Sequence, residues 1–158
     1  MKSLVVFLLL SVAGFAQNNF SISKDSLKWE NVFISDEQNI NTLIERHPRL
    51  AITSHKGKIF QGTGDGIKNT CPGTSALSDN PFSFDFEIEL SDGKYRVTIV
   101  NIHFTKLKKG KTDHISAYQS FVNKDKIKTD RQSQKDLECL ENYFNRIFSN
   151  TSVFKNKP

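Results

Sequence analysis

Little in this sequence interrupts a globular fold. Four prolines and eight glycines among 158 residues exclude a collagen-like or low-complexity chain. The run from Leu4 to Val12 falls well short of the roughly 20 apolar residues of a membrane-spanning helix, and no later stretch is more apolar. Histidine is sparse. The four side chains, at positions 47, 55, 103 and 114, show neither a His-x-His nor an i, i+4 spacing, so no metal site is expected. Gly62-Thr63-Gly64-Asp65-Gly66 lacks the glycine spacing, the following helix and the Lys-Ser/Thr of a nucleotide loop. It reads as a flexible strand end, and no cofactor is expected.

Apolar residues make up 37% of the chain and charged residues 25%, with thirteen Phe, which is a foldable composition. The first sixteen residues form a unit of their own: Lys2, the apolar run, then Gly14 and Ala16 where a signal peptidase needs small side chains. This pattern predicts a signal peptide at 1–16 and export to the periplasm or the cell exterior. No Cys follows the cleavage point, so a lipid anchor is not indicated. Residues 17–158 are then a single domain, with its core at about 21–148.

Without Lys2, the basic excess falls from +5 to +4. It is clustered. Residues 105–131 hold Lys106, Lys108, Lys109, Lys111, Lys124, Lys126, Lys128 and Arg131 against Asp113, Asp125 and Asp130. Grouped charge acts at a distance on an anionic partner, although a solvated basic connector is the plainer reading. Cys71 and Cys139 both enter an oxidising compartment after export. A bridge between them and two free thiols both remain open, because spacing alone cannot bring two Cβ atoms together.

Hydrophobic period assigns the elements. Residues 27–34 read as a strand with Trp29 and Phe33 on one face. A helix then follows Ser35 as cap, with Gln38 completing a capping box, Ile40, Leu43 and Ile44 as its buried stripe and Pro48 ending it. Residues 50–54 and 58–63 are short strands, and 65–81 is a long loop of the kind that is often functional. The strongest pattern lies at 82–104. Phe82, Phe84, Phe86, Ile88 and Leu90 alternate with polar residues, and Asp92-Gly93 offers a type I′ turn into a second strand. A two-residue loop sets Leu90 opposite Tyr95, Ile88 opposite Val97, Phe86 opposite Ile99, Phe84 opposite Asn101 and Phe82 opposite His103. The outward side of the second strand then ends in Val100, Ile102 and Phe104, an apolar strip that a partner or a neighbouring loop would cover.

From Arg131 to Phe148, Leu137, Leu140, Phe144 and Ile147 recur three or four apart, with Asp130 as cap and Asp136, Glu138 and Glu141 toward solvent. Residues 150–158 have little to bury and are expected to fray. The order β-α-β-β-β-β-α predicts an α+β fold, an antiparallel sheet with two helices on one face.

Several segments together resemble a known family: the start ending Phe15-Ala16-Gln17, the Trp29-Glu30-Asn31-Val32-Phe33 strand, Lys58-Ile59-Phe60-Gln61-Gly62, the Asp92-Gly93-Lys94-Tyr95-Arg96 hairpin and the aromatic final helix. The family is one of uncharacterised bacterial exported proteins, a domain of unknown function with a TATA-binding-protein-like fold. The resemblance covers roughly Ser21 to Phe148 and implies that architecture, without an activity.

Nucleic acid is not an expected partner. Asp85, Glu87 and Glu89 line the outward side of strand 82–90, where a groove-riding sheet needs cations. The three carboxylates recur about 7 Å apart, a separation known in glycosidases, but exposed strand polarity accounts for them. The leading functional reading is therefore an exported, non-catalytic interaction or envelope-associated domain. Its candidate surface is Val100, Ile102, Phe104, Lys106, Lys108, Lys109 and Lys111, and its partner an envelope protein or an anionic surface. The alternative is a small exported hydrolase built around the 65–81 loop, with Cys71, before Pro72 and Gly73, as nucleophile.

Overall fold

The computed structural model describes residues 18–35 and 39–149. The expected leader at 1–16, the tail at 150–158 and Asp36, Glu37 and Gln38 lie outside the described residues. In chain order the elements are β1 (Phe20–Ser23), β2 (Ser26–Ile34), α1 (Ile40–Glu45), β3 (Leu50–Lys56), β4 (Ile59–Ile67), β5 (Phe82–Ser91), β6 (Lys94–Lys108), β7 (Lys111–Ser116), α2 (Ala117–Phe121), β8 (Val122–Asn123), β9 (Lys126–Ile127) and α3 (Arg131–Phe148). The main sheet runs β1-β2-β6-β5-β4-β3, antiparallel throughout, with β7 paired to β6.

The fold is α+β, with the helices gathered on one face of the sheet. Period-two alternation in β5 sends Phe82, Phe84, Phe86 and Ile88 to that face, where each is buried. Phe144 of α3 meets them: its ring centroid lies 5.2 Å from Phe84, 5.3 Å from Trp29 and 6.2 Å from Phe82. The Tyr95 hydroxyl donates to the Phe148 carbonyl across 2.6 Å, tying the sheet to the end of α3. Gly62 and Gly64 belong to this packing. They stand opposite Phe86 and Phe84 in the ladder, and a Cβ on Gly64 would come within 2.6 Å of the Phe84 ring. The glycine-rich stretch therefore lies within β4, where bare backbone admits two aromatic rings, and is not a flexible strand end.

The hairpin pairs as its turn length requires near the turn, with Leu90 opposite Tyr95, Ile88 opposite Val97 and Phe86 opposite Ile99. Only Gly93 of its two turn residues has a positive φ, 68°, so the turn is not the expected type I′, which needs two. Farther along, the register changes. Ser83 pairs with His103 and Asp85 with Val100, so Phe84 faces Asn101 and Ile102 together. Asn101 sits at φ 54°, a left-handed conformation that asparagine tolerates, and forms a β-bulge. One extra residue exchanges the faces beyond it. Phe82 consequently pairs with Phe104 instead of His103, and Ile102 and Phe104 turn into the core at 2% and 1% exposure. The expected outward strip of Val100, Ile102 and Phe104 does not form, and only Val100, half-buried, stays on the open face. His103 moves outward, its Nδ1 2.7 Å from the Asn101 carbonyl.

Other boundaries shift for local reasons. Helix α1 starts at Ile40 under Asn39, whose side chain accepts from the Thr42 amide, and the Ser35 N–H donates to the Gly93 carbonyl. The expected capping box rests on Gln38, which lies outside the described residues, while Ile40, Leu43 and Ile44 are buried as the stripe of this helix. Strand β4 extends through Ile67, so the long loop begins at residue 68. The segment 105–131 is not a connector: it holds the end of β6, strand β7, helix α2 and the small β8–β9 hairpin. Helix α3 spans the expected residues, with the Asp130 side chain accepting from the Ser133 amide.

Candidate functional site

The long loop, residues 68–81, is fastened along α3. Cys71 and Cys139 form a disulfide with their Cα atoms 6.0 Å apart. Asn69 donates to the Cys139 carbonyl at 3.2 Å, and the Gln132 amide to the Gly73 carbonyl at 3.1 Å. Asp136 was expected to face solvent but is 2% exposed, accepting from the Ser75 amide at 2.7 Å and the Ser75 hydroxyl at 2.6 Å. Gln132, Asp136 and Cys139 recur at four and three residues, so a second, polar stripe of α3 faces the loop beside the apolar one. That spacing was readable in the sequence, but its partner was not. The Cys71 thiol of the hydrolase reading is consumed in the bridge.

The open face of the sheet carries carboxylates and cations side by side, among them the Lys28–Glu30 pair at 3.3 Å. Glu30, Thr98, Glu87 and Gln61 lie side by side across β2, β6, β5 and β4. The next row brings Val32, Arg96, Glu89 and Ile59 together. Arg96 bonds Glu89, and this carboxylate raises the arginine pKa further, with help from Glu30 and Glu87. The Gln61 amide donates to Glu87 at 3.0 Å and the Asn101 amide to Asp85 at 2.7 Å. Glu87, Glu89 and Asp85 are thus each engaged with a side chain of a neighbouring strand.

Strands β6 and β7 continue beyond the core as an exposed hairpin. Lys106 stands opposite Asp113 and Lys108 opposite Lys111, while Lys109 occupies the turn at φ 48°. Residues 106–114 are exposed throughout, including Leu107 at 76%. The four lysines of the candidate surface are therefore brought together on one arm, and Ile102 and Phe104 are separated from them by burial.

A feature missed in the sequence lies between the end of α1 and the last turns of α3. A cavity of about 250 Å³ is lined by Leu43, Arg46, His47, Tyr143, Arg146 and Ile147, together with Ser149. The Tyr143 hydroxyl is 2.8 Å from His47 Nε2, and the Arg146 guanidinium lies 5.4 Å from the centre of the Tyr143 ring. Burial, helped by the Arg146 charge, lowers the His47 pKa below the ordinary histidine value. Burial also pushes the Tyr143 hydroxyl up to about 12, against the opposing pull of Arg146. His47 and Tyr143 are 96 residues apart, so no motif joins them. Pro48, which stops the helix beside His47, was the only local hint. Among the described residues no three His, Cys, Asp or Glu side chains gather as a metal site.

No family profile matches the chain, and no curated protein matches it. Two solved structures share its fold. One is a TBP-like protein from Parabacteroides distasonis, at TM-score 0.55 and 12% identity, over 81% of this chain and 94% of that one. The other is a DUF4468 family protein from Bacteroides ovatus, at TM-score 0.51 and 18% identity, over 89% of this chain and 92% of that one. The likeness is to a TATA-binding-protein-like fold in bacterial proteins, as the sequence resemblance implies, and it carries no activity with it.

Proposed function

We propose that this chain is an exported, non-catalytic interaction domain that contacts an anionic envelope surface through its β6–β7 hairpin. The observation that carries this reading is the arm itself: Lys106, Lys108, Lys109 and Lys111 are exposed on one hairpin. Neighbouring cations on a projecting arm approach a charged surface together, and their fields add. Export is supported by the N-terminal pattern and by the Cys71–Cys139 bridge, since disulfides persist mainly in oxidising compartments. Among the described residues no helix is long and apolar enough to cross a membrane. The hydrolase alternative gains nothing from the geometry, because its nucleophile is bridged.

The test is binding of purified protein to phosphatidylglycerol vesicles and to polygalacturonate, each over a range of salt. Binding to at least one should weaken steeply with salt, since surface charges are screened over about 8 Å at physiological ionic strength. Replacing the four lysines with Gln should abolish it without lowering the melting temperature. Binding that ignores salt, or that survives the four substitutions, overturns the reading.

A further inference from the structure

We infer that the cavity between the end of α1 and the C-terminal turns of α3 is a binding site for a small carboxylate carrying an apolar tail. The Arg49 backbone amide can only donate, and it donates to His47 Nδ1 at 3.4 Å. Nδ1 must then be the unprotonated ring nitrogen. An imidazole that accepts at Nδ1 is the neutral form with its single ring proton on Nε2, in keeping with the burial that lowers the His47 pKa. Nε2–H therefore donates to the Tyr143 oxygen 2.8 Å away. The hydroxyl accepts in that bond and keeps its own proton, for which the described residues offer no acceptor.

A second residue with donors lines the same space. Arg46 follows the last residue of α1, lines the cavity, and its guanidinium makes no hydrogen bond or ion pair with any described residue. A buried O–H and a guanidinium with spare donors suit one chemical group, an anion with oxygen acceptors, and hydrogen bonds to an ionised acceptor are the strong ones. Arg146 adds positive charge without being counted as a spare donor, since its guanidinium already lies against the Tyr143 ring and 3.4 Å from the Asn69 side-chain oxygen. No described residue of the lining is acidic.

The rest of the wall selects within anions. Leu43 and Ile147 contribute apolar surface, which an inorganic ion leaves wet and an alkyl tail covers. At about 250 Å³ the cavity is smaller than the usual range for drug-sized ligands, which limits the occupant to a short-chain acid. The site is separate from the lysine hairpin and does not depend on what that arm contacts.

Titration of the purified protein with sodium hexanoate, followed by methyl NMR, tests this. Saturable shifts are expected at Leu43 and Ile147. Arg46→Gln should weaken binding roughly tenfold, because the charge-assisted contact is lost. Tyr143→Phe, which keeps the ring, should weaken it several-fold. Hexanol and inorganic phosphate should each bind at least roughly tenfold more weakly than hexanoate. Non-saturating shifts, an unaltered affinity in Arg46→Gln, hexanol binding as tightly as hexanoate, or phosphate doing so, each overturns the assignment. Arg46 is exposed, so its variant remains informative if Tyr143→Phe fails to fold.

Discussion

The side-chain amide of Asn101 donates to the Asp85 carboxylate across 2.7 Å, from the one residue of β6 that adopts a left-handed conformation. This pair braces the bulge that turns Ile102 and Phe104 into the core. Asn101→Val should cost about 1–3 kcal/mol, since a β-branched side chain does not readily hold a positive φ. Asn101→Gly, which adopts that φ freely, should cost clearly less. Urea melts of the two variants check the order, and equal stabilities would deny that the bulge depends on backbone conformation.

Asp136 should be a stability residue despite its place among the charged positions of α3. Asp136→Ala leaves the Ser75 amide and hydroxyl without their acceptor, and hydrogen bonds to charged groups contribute about 1.5–3 kcal/mol each. We expect a loss of about 3 kcal/mol, beside no more than about 0.5 kcal/mol for Glu138→Ala at the exposed neighbour. Comparable losses in the two variants would contradict the buried position of Asp136.

Reduction should matter as well. The bridge closes a separation of 68 residues, for which the chain-entropy relation gives about 4 kcal/mol. Denaturation of the Cys71→Ser, Cys139→Ser double variant should show a loss of that order. An unchanged midpoint would mean that the pinned loop contributes nothing to the fold.

His47 gives stability a dependence on pH. Its folded pKa lies below the unfolded value near 6.5, so between the two values the unfolded chain binds more protons. Stability is then complete above about pH 6.5 and falls as the pH drops through the folded value. His47→Gln should flatten this part of the profile. Thermal melts of both proteins between about pH 7.5 and pH 5 measure it, and parallel profiles would assign the acid loss elsewhere.

Phe144 is the junction of the core, touching Phe20, Trp29, Phe82 and Phe84 while wholly buried. Phe144→Ala should cost about 3–5 kcal/mol, whereas Phe144→Leu, which refills part of the space, should cost less. Circular dichroism melts distinguish the two, and equal losses would point to disruption of α3 itself.

Local pattern alone determined much of the architecture. Alternation from Phe82 to Leu90 and the two-residue loop specified the register as far as Phe86 and Ile99, because each neighbouring pair depends only on the one before it. Spacing in α3 and its Asp130 cap specified the whole helix, since both act within a turn or two of their own residue. Tertiary structure decided what lay at longer range. The bulge at Asn101 reversed the faces of Ile102 and Phe104, a change that local pattern does not announce, because an asparagine within a strand does not by itself show that its backbone turns left-handed. Tertiary contacts also brought Cys71 to Cys139, Ser75 to Asp136 and His47 to Tyr143, across 68, 61 and 96 residues. Each of these encounters follows from how α3 lies on the sheet, and no local periodicity carries that information.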